Sequence, residues 1–276
     1  MLPIKHRKPL GQHFINNNEI INNISFLIVN KIKEFLNNNI NNKELTLLEI
    51  GSSYGILSFN LINQLIENNI ALKKIFLNEI DYRLIKKLEL KISENPKLTE
   101  LLTNKKIEII NIPFEKIDLT QLNDLILIGN IPFYITGLVL RKIIDYNKNL
   151  SLIVLNLQKE VVDKIKSLNN VQSIILNMIF DIEYHFIIHP KYYTPKPKVF
   201  SQIISFNKKQ TFEKNYINKL YKFLDKIYKN KNKKIANLLT DDELSKVKTD
   251  LNSILSKRAN NLEPSELINL FNKINN

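Results

Sequence analysis

Cysteine and tryptophan are both absent from the 276 residues. Without thiols the chain can form no disulfide, no thiolate metal site and no cysteine nucleophile, which fits a reducing compartment. Histidine is scarce as well. His6, His13, His185 and His189 are the whole set, and their spacing matches no metal-ligand pattern. No apolar run approaches the roughly 18 residues that a membrane helix needs. The N-terminus is basic but lacks the apolar stretch of a secretory leader, so a cytoplasmic protein is expected.

Glycine is equally thin. Gly11, Gly51, Gly55, Gly129 and Gly137 are the only five, against roughly 7% in an average protein. Where glycine is this rare, each one marks a backbone demand that other residues meet poorly.

What is plentiful is positive charge. Forty Lys and Arg face 27 Asp and Glu, for a net charge of +13 and a pI near 9.5. A polyanion, most simply nucleic acid, is the economical partner. The competing explanation is a codon bias toward Asn, Ile and Lys, which raises charge without purpose. A hydrophobic content of 44% is enough for a core.

Residues 1–16 lack periodicity and read as a basic arm carrying Lys5, Arg7 and Lys8. Asn17 or Asn18 can cap a helix with apolar residues at Ile20, Ile21, Ile24, Leu27, Ile28 and Ile32. Strands are predicted at Leu45–Ile50, Lys74–Leu77, Ile107–Ile110, Leu125–Ile128 and Leu150–Leu157. Helices fall between them, and a helical region runs over Lys159–Ile179. This alternation predicts an α/β fold with a parallel, doubly wound sheet. Ile182–Ile188 and Val199–Phe206, joined by the proline-rich stretch Pro190–Pro197, predict an antiparallel pair at the sheet edge. Beyond Asn207 only helical periodicity remains. The expected organisation is an arm (1–16), an α/β domain (17–207) and a small all-helical domain (208–276).

Polar residues close four successive strands. Glu49-Ile50-Gly51 leads through Ser52-Ser53-Tyr54 to Gly55, a turn into a helix that lets backbone N–H groups meet a ligand. An ordinary strand–helix turn has the same outline. Glu79 ends the second strand, where a carboxylate can take both hydroxyls of a ribose, and Asn111 ends the third. Asn130 ends the fourth, followed by Ile131, Pro132 and Phe133. This arrangement suits a flat, nitrogen-bearing ring held for chemistry on its exocyclic amine. A dehydrogenase would use the first two features but has no use for Asn130-Ile131-Pro132-Phe133.

With these residues in view, the chain resembles the small-subunit ribosomal RNA adenine dimethyltransferase family over nearly its whole length. Leu10-Gly11-Gln12-His13-Phe14-Ile15 resembles the family's N-terminal signature. Glu49-Ile50-Gly51 with Gly55 resembles its donor loop, and Glu79-Ile80-Asp81 its ribose-binding acid. Gly129-Asn130-Ile131-Pro132-Phe133 resembles its catalytic Asn-Leu-Pro-Tyr. Gln158-Lys159-Glu160-Val161, Tyr193-Thr194-Pro195-Lys196-Pro197-Lys198-Val199 and the run from Ser256 to Leu267 resemble its later signatures. The chain departs from the family pattern at Ser53, where glycine is usual, at Asn111 for aspartate, at Phe133 for tyrosine and at Phe200 for aspartate.

The resemblance implies a seven-stranded Rossmann-like sheet, S-adenosylmethionine as methyl donor, and a small C-terminal helical domain. No metal is required. His13, Ile15, Gly51, Glu79, Asn111 and Asn130 would hold the donor. Asn130 and the Ile131 carbonyl would accept hydrogen bonds from adenine N6, with Pro132 fixing the backbone. Phe133 would stack on the base and Tyr193 would cover its other face, whereas Tyr54 and Tyr134 are expected to be packing aromatics. The implied reaction is N6-dimethylation of two adjacent adenosines in the 3′-terminal hairpin of small-subunit RNA. The implied partner is the immature small ribosomal subunit, engaged by a monomer with no membrane.

Residues 208–276 carry 15 Lys and Arg against 8 Asp and Glu. Lys222, Lys226, Lys229, Lys233 and Lys234 are therefore candidate RNA contacts, the alternative being a solvated helix face. Two other readings stay open. One is a large-subunit rRNA methylase of the antibiotic-resistance type, which shares Gly-Asn-Ile-Pro. The other is a non-catalytic ribosome-assembly factor that binds RNA.

Overall fold

The computed structural model describes residues 12–38, 44–247 and 251–275. A two-residue strand, β1 (Phe14–Ile15), precedes α1 (Asn18–Asn38). Then β2 (Leu45–Ile50), α2 (Ile56–Glu67), β3 (Leu72–Asn78), α3 (Tyr82–Ser93), α4 (Pro96–Thr103) and β4 (Ile107–Ile110) follow. Next come β5 (Leu125–Asn130), α5 (Thr136–Asp145), β6 (Leu150–Gln158), α6 (Lys159–Ser167) and α7 (Val171–Ile179). β7 (Phe180–Ile188), the short β8 (Tyr193–Thr194) and β9 (Ser201–Lys208) complete the strands. The last helices are α8 (Lys214–Lys229), α9 (Asp241–Val247), α10 (Asn252–Leu255) and α11 (Pro264–Asn275).

The seven-stranded sheet has the order β4-β3-β2-β5-β6-β9-β7. β4, β3, β2, β5 and β6 run parallel; β9 is antiparallel to β6, and β7 is antiparallel to β9. β9 thus slots in beside β6 and leaves β7 as the edge. The central strands are apolar on both faces because helices cover both. Leu125, Ile126, Leu127 and Ile128 of β5 are each 0% exposed. α1 starts where Asn17 Oδ1 accepts the Ile20 N–H at 2.8 Å, and it buries Ile21, Ile24, Ile28, Val29 and Ile32.

The chain forms two compact units. One contains residues 1–162 and 180–209 and holds the sheet; the other contains 163–179 and 210–276 and is helical. The helical region expected over 159–179 breaks between α6 and α7, where Leu168 has φ +55°. In the helical unit α8 buries Ile217, Leu220, Phe223, Leu224 and Ile227. Before α9, Thr240 and Glu243 bond reciprocally, Glu243 N–H to Thr240 Oγ1 at 3.2 Å and Thr240 N–H to Glu243 Oε2 at 2.7 Å. That exchange satisfies helix N–H groups that would otherwise lack partners. No helix among the described residues is long and apolar enough to cross a membrane.

β1 and its partner β8, which falls inside the proline-rich stretch, have no strand signal in the sequence. Phe14 pairs with Thr194 and Ile15 with Tyr193, nearly 180 residues later. The His13 ring holds the Pro195 carbonyl at 2.7 Å, and the Asn16 N–H donates to the Tyr192 carbonyl at 2.9 Å. Two residues show no periodicity, and what orders them is a distant partner.

Candidate active site

Four strands end on one level. Ile50 is in register with Asn78 and with Gly129, Asn78 with Ile110, and Asn130 with Asn156. The residues that follow meet in a cavity at the carboxyl edge of the sheet, where open α/β sheets hold ligands. Gly51, Ser53, Glu79, Asn130, Ile131, Pro132 and Phe133 line it, and His13, Phe14 and Ile15 line its N-terminal side.

The turn after β2 is built from left-handed residues. Gly51, Ser53 and Gly55 have φ of +69°, +55° and +83°. At Gly55 a Cβ would also lie 2.5 Å from the Phe59 ring and 2.7 Å from Leu88 Cδ1, so only glycine fits. Ser53 bears the strain of a side chain in this region. Its N–H donates to Glu79 Oε2 at 2.9 Å, which ties the turn to the end of β3. Its Oγ is buried and has no hydrogen-bond partner among the described residues.

Glu79 is 6% exposed, and its Oε1 accepts the Asp81 N–H at 2.8 Å. Burial pushes its carboxyl above the usual range, while the backbone N–H groups pull it back. A carboxylate has about four acceptor positions, so capacity remains for a ligand's hydroxyls. Asp81 caps α3 at the Arg83 N–H, and the Arg83 guanidinium beside it holds its carboxyl down to about 2. Gln12 reaches the same carboxylate at 3.1 Å.

Glu49 lies beneath this turn, 2% exposed, and accepts a short bond from the Ser58 hydroxyl. Burial pushes its carboxyl from 4.5 up to about 7, Ser58 lowers it and Glu79 raises it further. The folded chain therefore keeps a proton that the unfolded chain releases at lower pH. Stability from this group is greatest below pH 4.5 and is lost as pH rises toward about 7. Urea unfolding across that window is expected to show a falling stability for wild type. In Glu49→Gln the fall should shrink by up to about one proton's slope. Identical slopes would contradict this.

At the end of β5 the Asn130 amide is held on both sides. Its Nδ2 donates to the His13 carbonyl at 3.1 Å, and its Oδ1 accepts from Asn156 Nδ2 at 2.8 Å. Ile131 is buried, and its N–H donates to the Asn156 carbonyl at 3.2 Å. Pro132 has φ −57° and opens the tight turn Phe133–Ile135. The Phe133 ring is half-buried and lies 5.3 Å from the His13 ring, tilted by 30°.

Asn111, Tyr193 and Tyr134 are placed differently from expectation. Asn111 is exposed and absent from the cavity wall, and its amide donates to the Glu79 carbonyl at 2.8 Å. Glu115 and Phe114 line the cavity in that region instead. Tyr193 is 4% exposed, a fixed part of the wall rather than a free cover, because its hydroxyl lies between Asn156 and Ser201, 2.6 Å from each. Tyr134 is not a packing aromatic: it is 52% exposed and lines the cavity. Tyr54 is half-buried, edge-on to Phe14 at 5.7 Å.

Lys5, Arg7 and Lys8 lie outside the described residues. In the helical unit Lys222, Lys233 and Lys234 are exposed. Lys226 is bonded to Glu243 at 2.9 Å and Lys229 to Asp225 at 2.7 Å, so these two are already ion-paired. The Glu243 partner comes from α9, which spacing along α8 does not reveal.

Two supporting residues escaped the sequence reading. Asn156 is an amide in an otherwise apolar run, and that break in pattern was its visible signal. Lys142 is 7% exposed and donates to the carbonyls of Phe114 at 2.9 Å, Glu115 at 3.0 Å and Ile117. It fixes the segment that brings Phe114 and Glu115 to the cavity wall. Among the described residues no group of three or more His, Cys, Asp and Glu is placed to hold a metal ion.

Solved structures share this architecture. The dimethyladenosine transferase of Plasmodium falciparum superposes with a TM-score of 0.68, covering 95% of this chain and 98% of that one at 17% identity. The 23S rRNA methyltransferase ErmE gives 0.66, covering 95% and 100% at 18% identity. These likenesses show the fold, a Rossmann-like α/β sheet. The model of the family described as ribosomal RNA adenine dimethylase matches residues 4–276. Ribosomal RNA small subunit methyltransferase A of Mycoplasmopsis synoviae is 30% identical over 280 residues, 98% of this chain and 97% of its own length. The chain belongs to the ribosomal RNA adenine dimethylase family. Its activity is S-adenosylmethionine-dependent dimethylation of adenine in ribosomal RNA.

Proposed function

We propose that the chain dimethylates N6 of two adjacent adenosines in the 3′-terminal hairpin of small-subunit rRNA, acting as a cytoplasmic monomer on the immature small subunit. The observation that carries the reading is the Asn130 amide, held in one direction at the cavity wall with Phe133 beside it. Full-length similarity to a small-subunit methyltransferase supports the choice of subunit.

The cavity's residues fit the donor. Glu79 offers a carboxylate for vicinal hydroxyls, and Ser53 lines the same cavity. Gly51, Ile15 and His13 complete that side. Asn111 lies outside the wall and contributes at most a peripheral bond. Bound S-adenosylmethionine supplies an electrophilic methyl group on a sulfonium.

Adenine N6 is a poor nucleophile because its lone pair is delocalised into the ring. Hydrogen bonds from N6–H to Asn130 Oδ1 and the Ile131 carbonyl would localise that pair and aim it. Phe133 supplies a stacking face for a base taken out of its helix, and the exposed Tyr134 adds a second aromatic at the same wall. Positioning accounts for most of the rate. Lys222, Lys233 and Lys234, together with the basic arm of Lys5, Arg7 and Lys8, are the candidate phosphate contacts, and Lys226 and Lys229 stand behind them.

The test is methyl transfer from labelled donor to immature small and large subunits. Dimethyladenosine in the small subunit alone is expected. Label confined to the large subunit would instead favour the resistance-type reading, which the ErmE likeness, a matter of fold, does not decide.

A further inference from the structure

We propose that Asn156 is a positioning residue that locks the orientation of the Asn130 amide, with Tyr193 and Ser201 anchoring it from below. The proposal rests on the reading of Asn130 as the acceptor of adenine N6–H.

Asn156 sits on β6 directly beside Asn130 of β5. Both hydrogens of its amide are used: one goes to Asn130 Oδ1 at 2.8 Å, the other to Tyr193 Oη at 2.6 Å. Tyr193 Oη in turn lies 2.6 Å from Ser201 Oγ. Asn156 and Tyr193 are each 4% exposed and Ser201 is 1% exposed, so water does not substitute for these bonds. The Asn156 backbone works in the same direction, its carbonyl accepting the Ile131 N–H at 3.2 Å. One residue therefore holds the Asn130 side chain and also the Asn130–Ile131 peptide, the one that precedes the Ile131 carbonyl.

The chemical need is specific. The two ends of a carboxamide have nearly the same shape, and turning the group over exchanges an acceptor for a donor. Turned over, Asn130 would present N–H to the amine of the base, where nothing could accept. The surroundings forbid that state, since Asn130 Nδ2 would then face Asn156 Nδ2, and Asn130 Oδ1 would face the His13 carbonyl. Donor would meet donor and acceptor would meet acceptor, each leaving buried groups unsatisfied. An apolar neighbour would supply no such preference.

The position also costs something. Asn156 lies between Leu155 and Leu157 in a strand of buried residues, and its Oδ1 has no hydrogen-bond partner among the described residues. A buried oxygen left unpaired destabilises the fold. Packing alone would favour leucine here, and that contrast separates a positioning role from a structural one.

The experiment compares Asn156→Leu with wild type in methyl transfer to immature small subunits, alongside donor calorimetry and thermal melting. The expected result is a kcat lower by about 10- to 100-fold, the size of one lost orientation preference. Donor affinity should be unchanged and the melting temperature unchanged or raised. In an Asn130→Ala background the same substitution should have no further effect on rate, because the amide it orients is gone. Should Asn156→Leu fail to fold, Asn156→Asp decides: its carboxylate reverses the bonding and should turn the Asn130 amide over, lowering kcat by at least as much. Wild-type kcat in a folded Asn156 variant, with Asn130→Ala inactive, would overturn the proposal alone. Full activity in Asn130→Ala would overturn the reading beneath it as well.

Discussion

Asn130→Ala is expected to lower kcat for adenine methylation by about 10²–10³-fold, the range seen when one transition-state hydrogen-bonding group is removed. The amide does two things that alanine cannot. On the proposed reading its oxygen accepts from N6–H, and its nitrogen ties the end of β5 to the His13 carbonyl at 3.1 Å. The first contact matters most when the N6 lone pair is being localised, so its loss falls on kcat. The second holds the N-terminal segment at the cavity and should appear as a modest loss of donor affinity. The fold should survive, because Asn130 ends its strand and the four residues before Gly129 carry the burial. Single-turnover methyl transfer at saturating donor, with calorimetry for donor binding, separates the two effects. A variant within a few-fold of wild-type kcat would remove Asn130 from the chemistry.

Glu79→Gln should act on the other substrate. Donor affinity is expected to fall by about 10- to 100-fold, the weight of one or two charge-assisted hydrogen bonds. Both carboxylate oxygens of Glu79 already accept backbone N–H groups, one from Ser53 and one from Asp81. An amide turns one of these acceptors into a donor facing an N–H. The Ser53 end of the turn then loses its tie to β3, and the turn holds three left-handed residues that depend on being held. The proposed contact to the donor's hydroxyls should weaken at the same time. RNA affinity should not change, since Glu79 is proposed to hold the donor and not the base. Equal donor binding by wild type and Glu79→Gln would contradict this assignment.

Much of this was legible in the chain. Apolar runs ended by Gly51, Glu79 and Asn130 gave the parallel strands and their common edge, because a buried strand and the residue that ends it are local facts. Scarce glycine marked Gly51 and Gly55, whose φ values explain why they are glycine. The parts that were not legible are non-local. β1 exists only through its pairing with β8. Lys226 looked free along α8 until α9 brought Glu243 beside it. Asn111 follows its strand as expected, yet its amide donates to the Glu79 carbonyl and the residue is not among those lining the cavity. Tyr193 carries the right ring for a base, but its hydroxyl is held by Asn156 and Ser201. Side-chain direction at a strand end is set by neighbours on other strands, and periodicity does not encode it.

The most direct measurement gives labelled S-adenosylmethionine to immature small subunits with wild type and with Asn130→Ala, then digests the RNA. The account predicts labelled N6-dimethyladenosine with wild type and almost none with the variant. Equal label from the two proteins, or label that appears only when large subunits are supplied, would contradict it.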